Sequence, residues 1–119
     1  MKISFDFSST YEPIEDGHYT AALVSITPKT KMYGDSYEFL FEIVGDEEYA
    51  GRRIGRLLKA SPMMRRWINV LTGDTVTKED PHYDLDKLLH KSCEIQIETK
   101  LNKNRIVDIY TVEGKETNV

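Results

Sequence analysis

The segment from Tyr37 to Val44 constrains the fold more than any other. Tyr37, Phe39, Phe41 and Ile43 fall at every second position, with Glu38 and Glu42 between them. A period of two puts the apolar set on one face of a strand and the carboxylates on the other, so the segment reads as a half-buried strand over a core. Gly45-Asp46-Glu47-Glu48 supplies the turn that ends it. His18 to Thr27 alternates too, with Tyr19, Ala21, Leu23 and Ser25 on one face and Ala22, Val24 and Ile26 on the other, between stops at Gly17 and Pro28. Tyr49 to Leu58 is expected to pair next, although Gly51 and Gly55 disturb its alternation and Leu57-Leu58 points apolar groups both ways. A bulge near Gly55 accounts for that.

A different period follows. Met64, Trp67, Ile68 and Leu71 recur at helical spacing behind a capping Ser61 and an initial Pro62, and Gly73 suits the position just past the end. After the polar stretch Asp74 to Tyr83, Asp84 can cap a short turn bearing Leu85, Leu88 and Leu89. Ser92 to Thr99 sets Cys93, Ile95 and Ile97 against Glu94, Gln96 and Glu98. Arg105 to Val112 alternates Ile106 with Asp108 and Val107 with Ile109. The turn Leu101-Asn102-Lys103-Asn104 joins these two strands.

The order is strand, strand, strand, helix, strand, strand, which predicts a mostly β domain of the OB-fold type, a five-stranded Greek-key barrel with a helix between strands three and four. A Tudor-like or SH3-like barrel shares the strands but does not usually need so long a connection before strand four. At 119 residues the chain suits a single domain over 1–119, with its core at about 13–112 and loose ends around Phe5, Phe7 and Tyr11 and in the tail EGKETNV. No apolar run approaches the roughly 18 residues that span a bilayer, and the start lacks a signal-peptide apolar stretch, so a cytoplasmic protein with no membrane partner is expected. The single cysteine, Cys93, excludes an internal disulfide and a cysteine zinc site, and no cofactor is expected.

Charge is distributed unevenly. The net charge is −4, and up to Glu48 the acids dominate; from Tyr49 to Thr72 the charged residues are Arg52, Arg53, Arg56, Lys59, Arg65 and Arg66. The loop between strands one and two adds Lys29 and Lys31 around Tyr33, and the loop between strands four and five adds Lys100, Lys103 and Arg105. An OB barrel would bring these three basic segments to one face. Single-strand binders combine cations that follow phosphates with aromatic rings that stack bases, and Tyr33, Tyr37 and Tyr49 are the rings nearest that face. The candidate nucleic-acid contacts are therefore Lys29, Lys31, Tyr33, Tyr37, Arg52, Arg53, Arg56, Lys100, Lys103 and Arg105. Phe39, Phe41 and Trp67 read as core, and Arg65 and Arg66 lie on the polar side of the helix.

Catalytic signals are weak, and the chain does not read as an enzyme. His18, His82 and His90 lack metal-site spacing, and no nucleophile elbow, Walker loop or zincin helix occurs. A metal-dependent nuclease would have to gather Asp84, Asp86, Glu94 and Glu98, which read instead as helix-start and wet-face residues.

Gly17-His18-Tyr19 opening one strand, Tyr37-Glu38-Phe39 in the next, Gly51-Arg52 before the third and a helix ending in Leu71-Thr72-Gly73 resemble small phage and prophage OB-fold proteins of the single-stranded DNA-binding type. The resemblance covers roughly Pro13 to Tyr110. It implies single-stranded DNA as ligand and phage recombination or replication proteins as partners, in the cytoplasm of a bacterial host. The tail departs from the acidic tail of bacterial single-strand binders. The alternative expectation is an interaction or assembly module without a nucleic-acid role, including a homo-oligomer, whose acidic and arginine-rich segments meet complementary patches. An oligosaccharide binder ranks third.

Overall fold

A computed structural model describes residues 1–2, 13–31 and 34–112, with residues 30, 31 and 34 described through their backbone only. The expectations about loose ends and about Tyr33 lie outside the described residues. The fold is mostly β: a five-stranded antiparallel sheet of order β3-β2-β1-β4-β5, built from β1 (Gly17–Lys31), β2 (Gly34–Ile43), β3 (Arg53–Leu58), β4 (Ser92–Lys100) and β5 (Lys103–Tyr110). One helix, α1 (Pro62–Thr72), and a 3-10 turn at Leu85–Leu88 lie between β3 and β4.

The long β1 is shared between two partners. Its first part, Gly17 to Ala22, pairs with β4, and from Ala21 to Lys31 it pairs with β2. Pro28 does not stop it. Among the described residues the side of β1 away from β2 is an edge there, a setting in which a strand tolerates proline. Ala21, Leu23, Phe39, Phe41, Ile43, Ile54 and Leu58 line the inner face of β1, β2 and β3, and Cys93, Ile95, Ile97, Ile106 and Ile109 continue it across β4 and β5.

Two bulges adjust that face. One falls between Leu23 and Ser25 in β1, so that Ile26 lies opposite Phe39 and packs on the core rather than joining Ala22 on the wet side. The other interrupts the β4–β5 register between Gln96 and Ile97, and it is why Ile106 and Ile109, three apart, are both buried. The bulge expected at Gly55 is not formed: β2 and β3 pair without interruption from Tyr37↔Leu58 to Glu42↔Arg53. Gly55 instead lets the Glu38 side chain lie over the strand, because a Cβ there would sit 3.3 Å from a Glu38 carboxylate oxygen.

Helix α1 follows its sequence signals closely. The Ser61 hydroxyl accepts from Met64 N at 3.3 Å, Pro62 opens the first turn, and Gly73 ends the helix with φ 82. Its apolar stripe covers the inner face of the sheet, where the buried Trp67 meets Phe39 and Phe41 edge-on at 6.0 and 5.9 Å. The Trp67 indole N–H donates to Asp108 Oδ1 on β5 at 3.3 Å, and the Arg66 guanidinium pairs with the same oxygen. Asp108 thus fastens α1 to the edge of the sheet.

The sheet is open, which corrects the expectation of a closed barrel. Among the described residues no ladder joins β3 to β5, although the two edges approach each other. The Arg56 side chain takes the Ile106 carbonyl on β5, so a guanidinium stands where a ladder bond would close the sheet. Among the described residues no helix is long and apolar enough to cross a membrane.

Candidate nucleic-acid interface

The arginines of the third strand do not share a face. With an unbroken register, Arg53 and Arg56 are three positions apart and must point to opposite sides of the sheet. Arg53 is on the outer face, where its Nε donates to Glu42 Oε1 at 2.9 Å. Exposed pairs of this kind contribute about 0.2–1 kcal/mol, and Glu42 offsets part of the charge a phosphate would meet there. Glu38 shares that outer face. Arg52 is half-buried in the turn before β3, where its backbone bonds Ile43 N and Tyr49 O. Tyr49 leaves the strand for that turn, held by the Asp46 carboxylate, and packs edge-on against Tyr19 at 5.7 Å.

Arg56 turns inward and lies in the seam between the β3 and β5 edges. Its Nη1 donates to the Ile106 carbonyl at 2.5 Å, and its Nη2 lies 3.8 Å from the Met63 sulfur on α1. Burial lowers its pKa, and the nearby positive charge of Arg105 lowers it further. Among the described residues neither Arg56 nor Arg105 has a carboxylate within ion-pair distance. Arg105 is exposed and stands opposite Glu98 on the outer face, so among the described residues it is Arg56 alone that lies partly buried in the seam with a carbonyl and a sulfur as its partners.

The β4–β5 hairpin carries the next group of cations. Lys100 pairs with Lys103 across a two-residue turn in which Leu101 and Asn102 have φ of 53 and 61, and Lys100, Lys103 and Arg105 are all exposed. Leu101, at the tip, is 88% exposed. Asn104 steadies the base of the arm by bonding both backbone groups of Ile14, at 2.8 and 3.0 Å. Because β4 pairs with β1 only as far as Gly17↔Ile97, this hairpin projects past the start of β1. The β1–β2 hairpin, with the exposed Lys29 and the backbone of Lys31, projects past its other end. The two basic hairpins thus flank the sheet from opposite ends of β1 and do not merge into one patch. A ligand touching both must run along the sheet between them.

Two further features escaped the sequence. On the outer face of β1, β4 and β5, His18 Nδ1 lies 2.9 Å from Glu94 Oε1, and the His18 ring stacks on Tyr110 at 5.6 Å and 21°. The Tyr110 hydroxyl donates to Gln96 at 2.8 Å. The register that makes these contacts, with His18 opposite Gln96 and Glu94 opposite Tyr110, was the missing signal. The second feature is a groove of about 310 Å³ between α1 and the loop before the 3-10 turn. Tyr37, Pro62, Met64, Arg65 and Ile68 form one wall, and Val76, Pro81, Tyr83 and Leu85 form the other. It brings together Tyr37 and Arg65, which the sequence did not connect.

The carboxylates a nuclease would need are dispersed. Asp84 accepts from Asp86 N at 3.0 Å as the cap of the 3-10 turn, Glu94 holds His18, and Glu98 lies opposite Arg105. Among the described residues no group of three or more His, Cys, Asp or Glu side chains could hold a metal ion. Burial pushes the Cys93 thiol up to about 12, so it stays protonated in the core. No protein-family model matches the chain and no curated protein matches it, so geometry alone carries the functional conclusion.

Proposed function

We propose that this chain is a non-enzymatic, single-stranded DNA-binding module of the OB type, opened at the seam between β3 and β5. The strand order, with β1 shared by β2 and β4 and with the β3 and β5 edges facing each other, supports the OB assignment. The observation that carries the function is the Arg56 guanidinium in the seam, partly buried on a carbonyl and a sulfur and, among the described residues, with no carboxylate within ion-pair distance. On an acidic protein such a cation lacks its counter-charge, and a phosphate arriving at the seam supplies it. From this seam the strand runs to Lys100 and Lys103 on one hairpin and toward Lys29 on the other. The work of such a module, in the cytoplasm of a bacterial host, is to protect single strands during phage replication or recombination.

A fluorescence anisotropy titration with labelled oligo-dT tests the proposal. Affinity is expected to fall with salt at a slope of about −0.7 per phosphate neutralised. Arg105→Ala should lower that slope by about 0.7, and Arg53→Ala should lower it by less because Glu42 already offsets part of the Arg53 charge. Absence of binding at low salt would overturn the proposal. A second reading, an assembly module, is favoured by Glu38 and Glu42 on the outer face of β2. It requires concentration-dependent self-association in light scattering or a protein partner captured at the Arg53–Glu42 face.

A further inference from the structure

We infer that the groove between α1 and the Val76–Leu85 loop holds one unstacked base of the bound strand, with that nucleotide's phosphate on Arg65. This rests on the single-strand reading above and names a subsite for it. The lining is apolar except for a few groups. Pro62, Met64, Ile68, Val76, Pro81 and Leu85 supply the walls, while Tyr37 and Tyr83 bring aromatic rings from opposite sides. A volume of about 310 Å³ is at the small end of ligand pockets, the scale of one nucleoside rather than of a helix or a long peptide.

The Tyr83 ring is already positioned. Its hydroxyl donates to Asp74 at 2.6 Å, and the Lys87 ammonium lies 5.5 Å from the ring centroid. Burial raises the Tyr83 pKa, and the bond it gives lowers that of Asp74, so the donor and the carboxylate hold each other in place at neutral pH. A base entering the groove therefore meets a fixed ring and loses little side-chain entropy in the contact.

Charge sets the direction of the nucleotide. Arg65 is exposed on the α1 wall and has no carboxylate within ion-pair distance among the described residues, and the first turn of α1 carries no acid. Behind the loop wall lies a polar depression lined by Asp74, Asp80 and Asp84 together with His82 and Lys87. Three carboxylates there outweigh the single ammonium of Lys87, which already faces the Tyr83 ring, so a phosphate is favoured at Arg65, with the base toward Tyr83 and the phosphate toward α1. The same complementarity would admit an acidic peptide with an apolar side chain, which lacks a ring to stack.

The test is an amide-resolved NMR titration of the full chain with AMP, adenosine and inorganic phosphate at millimolar concentration. Saturable shifts are expected at Ala60, Ser61, Arg65, Val76 and Tyr83, with AMP binding about tenfold more tightly than adenosine, and with Arg65→Met removing that difference. Tyr37→Leu should weaken AMP by about tenfold with the spectrum otherwise retained. No shifts at these amides with AMP, or equal shifts with phosphate alone, would overturn the inference. Oligo-dT binding with a silent groove would remove this subsite and leave the single-strand reading intact. AMP binding in the groove by a chain that binds no oligonucleotide would overturn the single-strand reading instead.

Discussion

The core beneath α1 and the seam between β3 and β5 treat polar groups in opposite ways. Under α1 the one indole N–H that burial would strand finds Asp108, and the same carboxylate oxygen also takes Arg66 and Ile109 N. At the seam the Arg56 guanidinium keeps its charge with only a carbonyl and a sulfur as partners. The first arrangement is what stability demands, since a buried donor without an acceptor costs about 1–3 kcal/mol. The second is poor for stability and useful for recognition, because charge left unpaired by the fold is available to an anion.

Substitutions on the two sides should separate accordingly. Trp67→Ala removes the largest buried side chain and its contacts with Phe39 and Phe41, and is expected to cost about 3–5 kcal/mol in chemical denaturation. Asp108→Ala leaves the indole N–H and Arg66 without their acceptor and should cost about 1–3 kcal/mol. If Asp108→Ala were neutral, α1 would be held by apolar contact alone, and the contrast with the seam would lose its polar half.

How much of this was legible in the sequence depends on whether a signal is local. Ser61, Pro62 and Gly73 fixed the helix ends because capping involves neighbours within one turn. Cys93, Ile95 and Ile97 were readable as a buried face for the same reason, since β4 keeps its period of two. Bulges are different, because an extra residue is defined only against a partner strand. Ile26 was therefore assigned to the wrong face, the β5 alternation was misread, and a bulge was expected at Gly55 where the ladder is continuous. That last error had a functional consequence. Only a bulge could have put Arg53 and Arg56 on one side, and without it the arginine-rich strand splits into a Glu42-bound residue and a seam residue. The His18–Tyr110 stack and the Tyr37–Arg65 groove were invisible because each joins elements distant in sequence.

Arg56→Met is the direct test of the contrast. It removes a charged donor from the Ile106 carbonyl but also removes a partly buried charge and its repulsion from Arg105, so stability should change by no more than about 1 kcal/mol in either direction. DNA affinity should fall while the melting transition stays in place. A loss of stability as large as that of Asp108→Ala would make Arg56 a structural strut and would erase the difference between the two regions.

The smallest expected effect lies at the tip of the β4–β5 hairpin. Leu101 is held at φ 53, where an L-residue with a Cβ is disfavoured by about 1–2 kcal/mol, and its side chain is 88% exposed and gains little from packing. Glycine relieves the backbone cost but loses more chain entropy on folding, about 0.5–1 kcal/mol, so Leu101→Gly should stabilise the protein by up to about 1 kcal/mol. The exposed leucine between Lys100 and Lys103 then has no role in the fold, and the same variant should weaken oligonucleotide binding if the tip meets the strand. A stabilised variant with undiminished affinity would place the recognising surface on the seam alone and leave the hairpin as a carrier of charge.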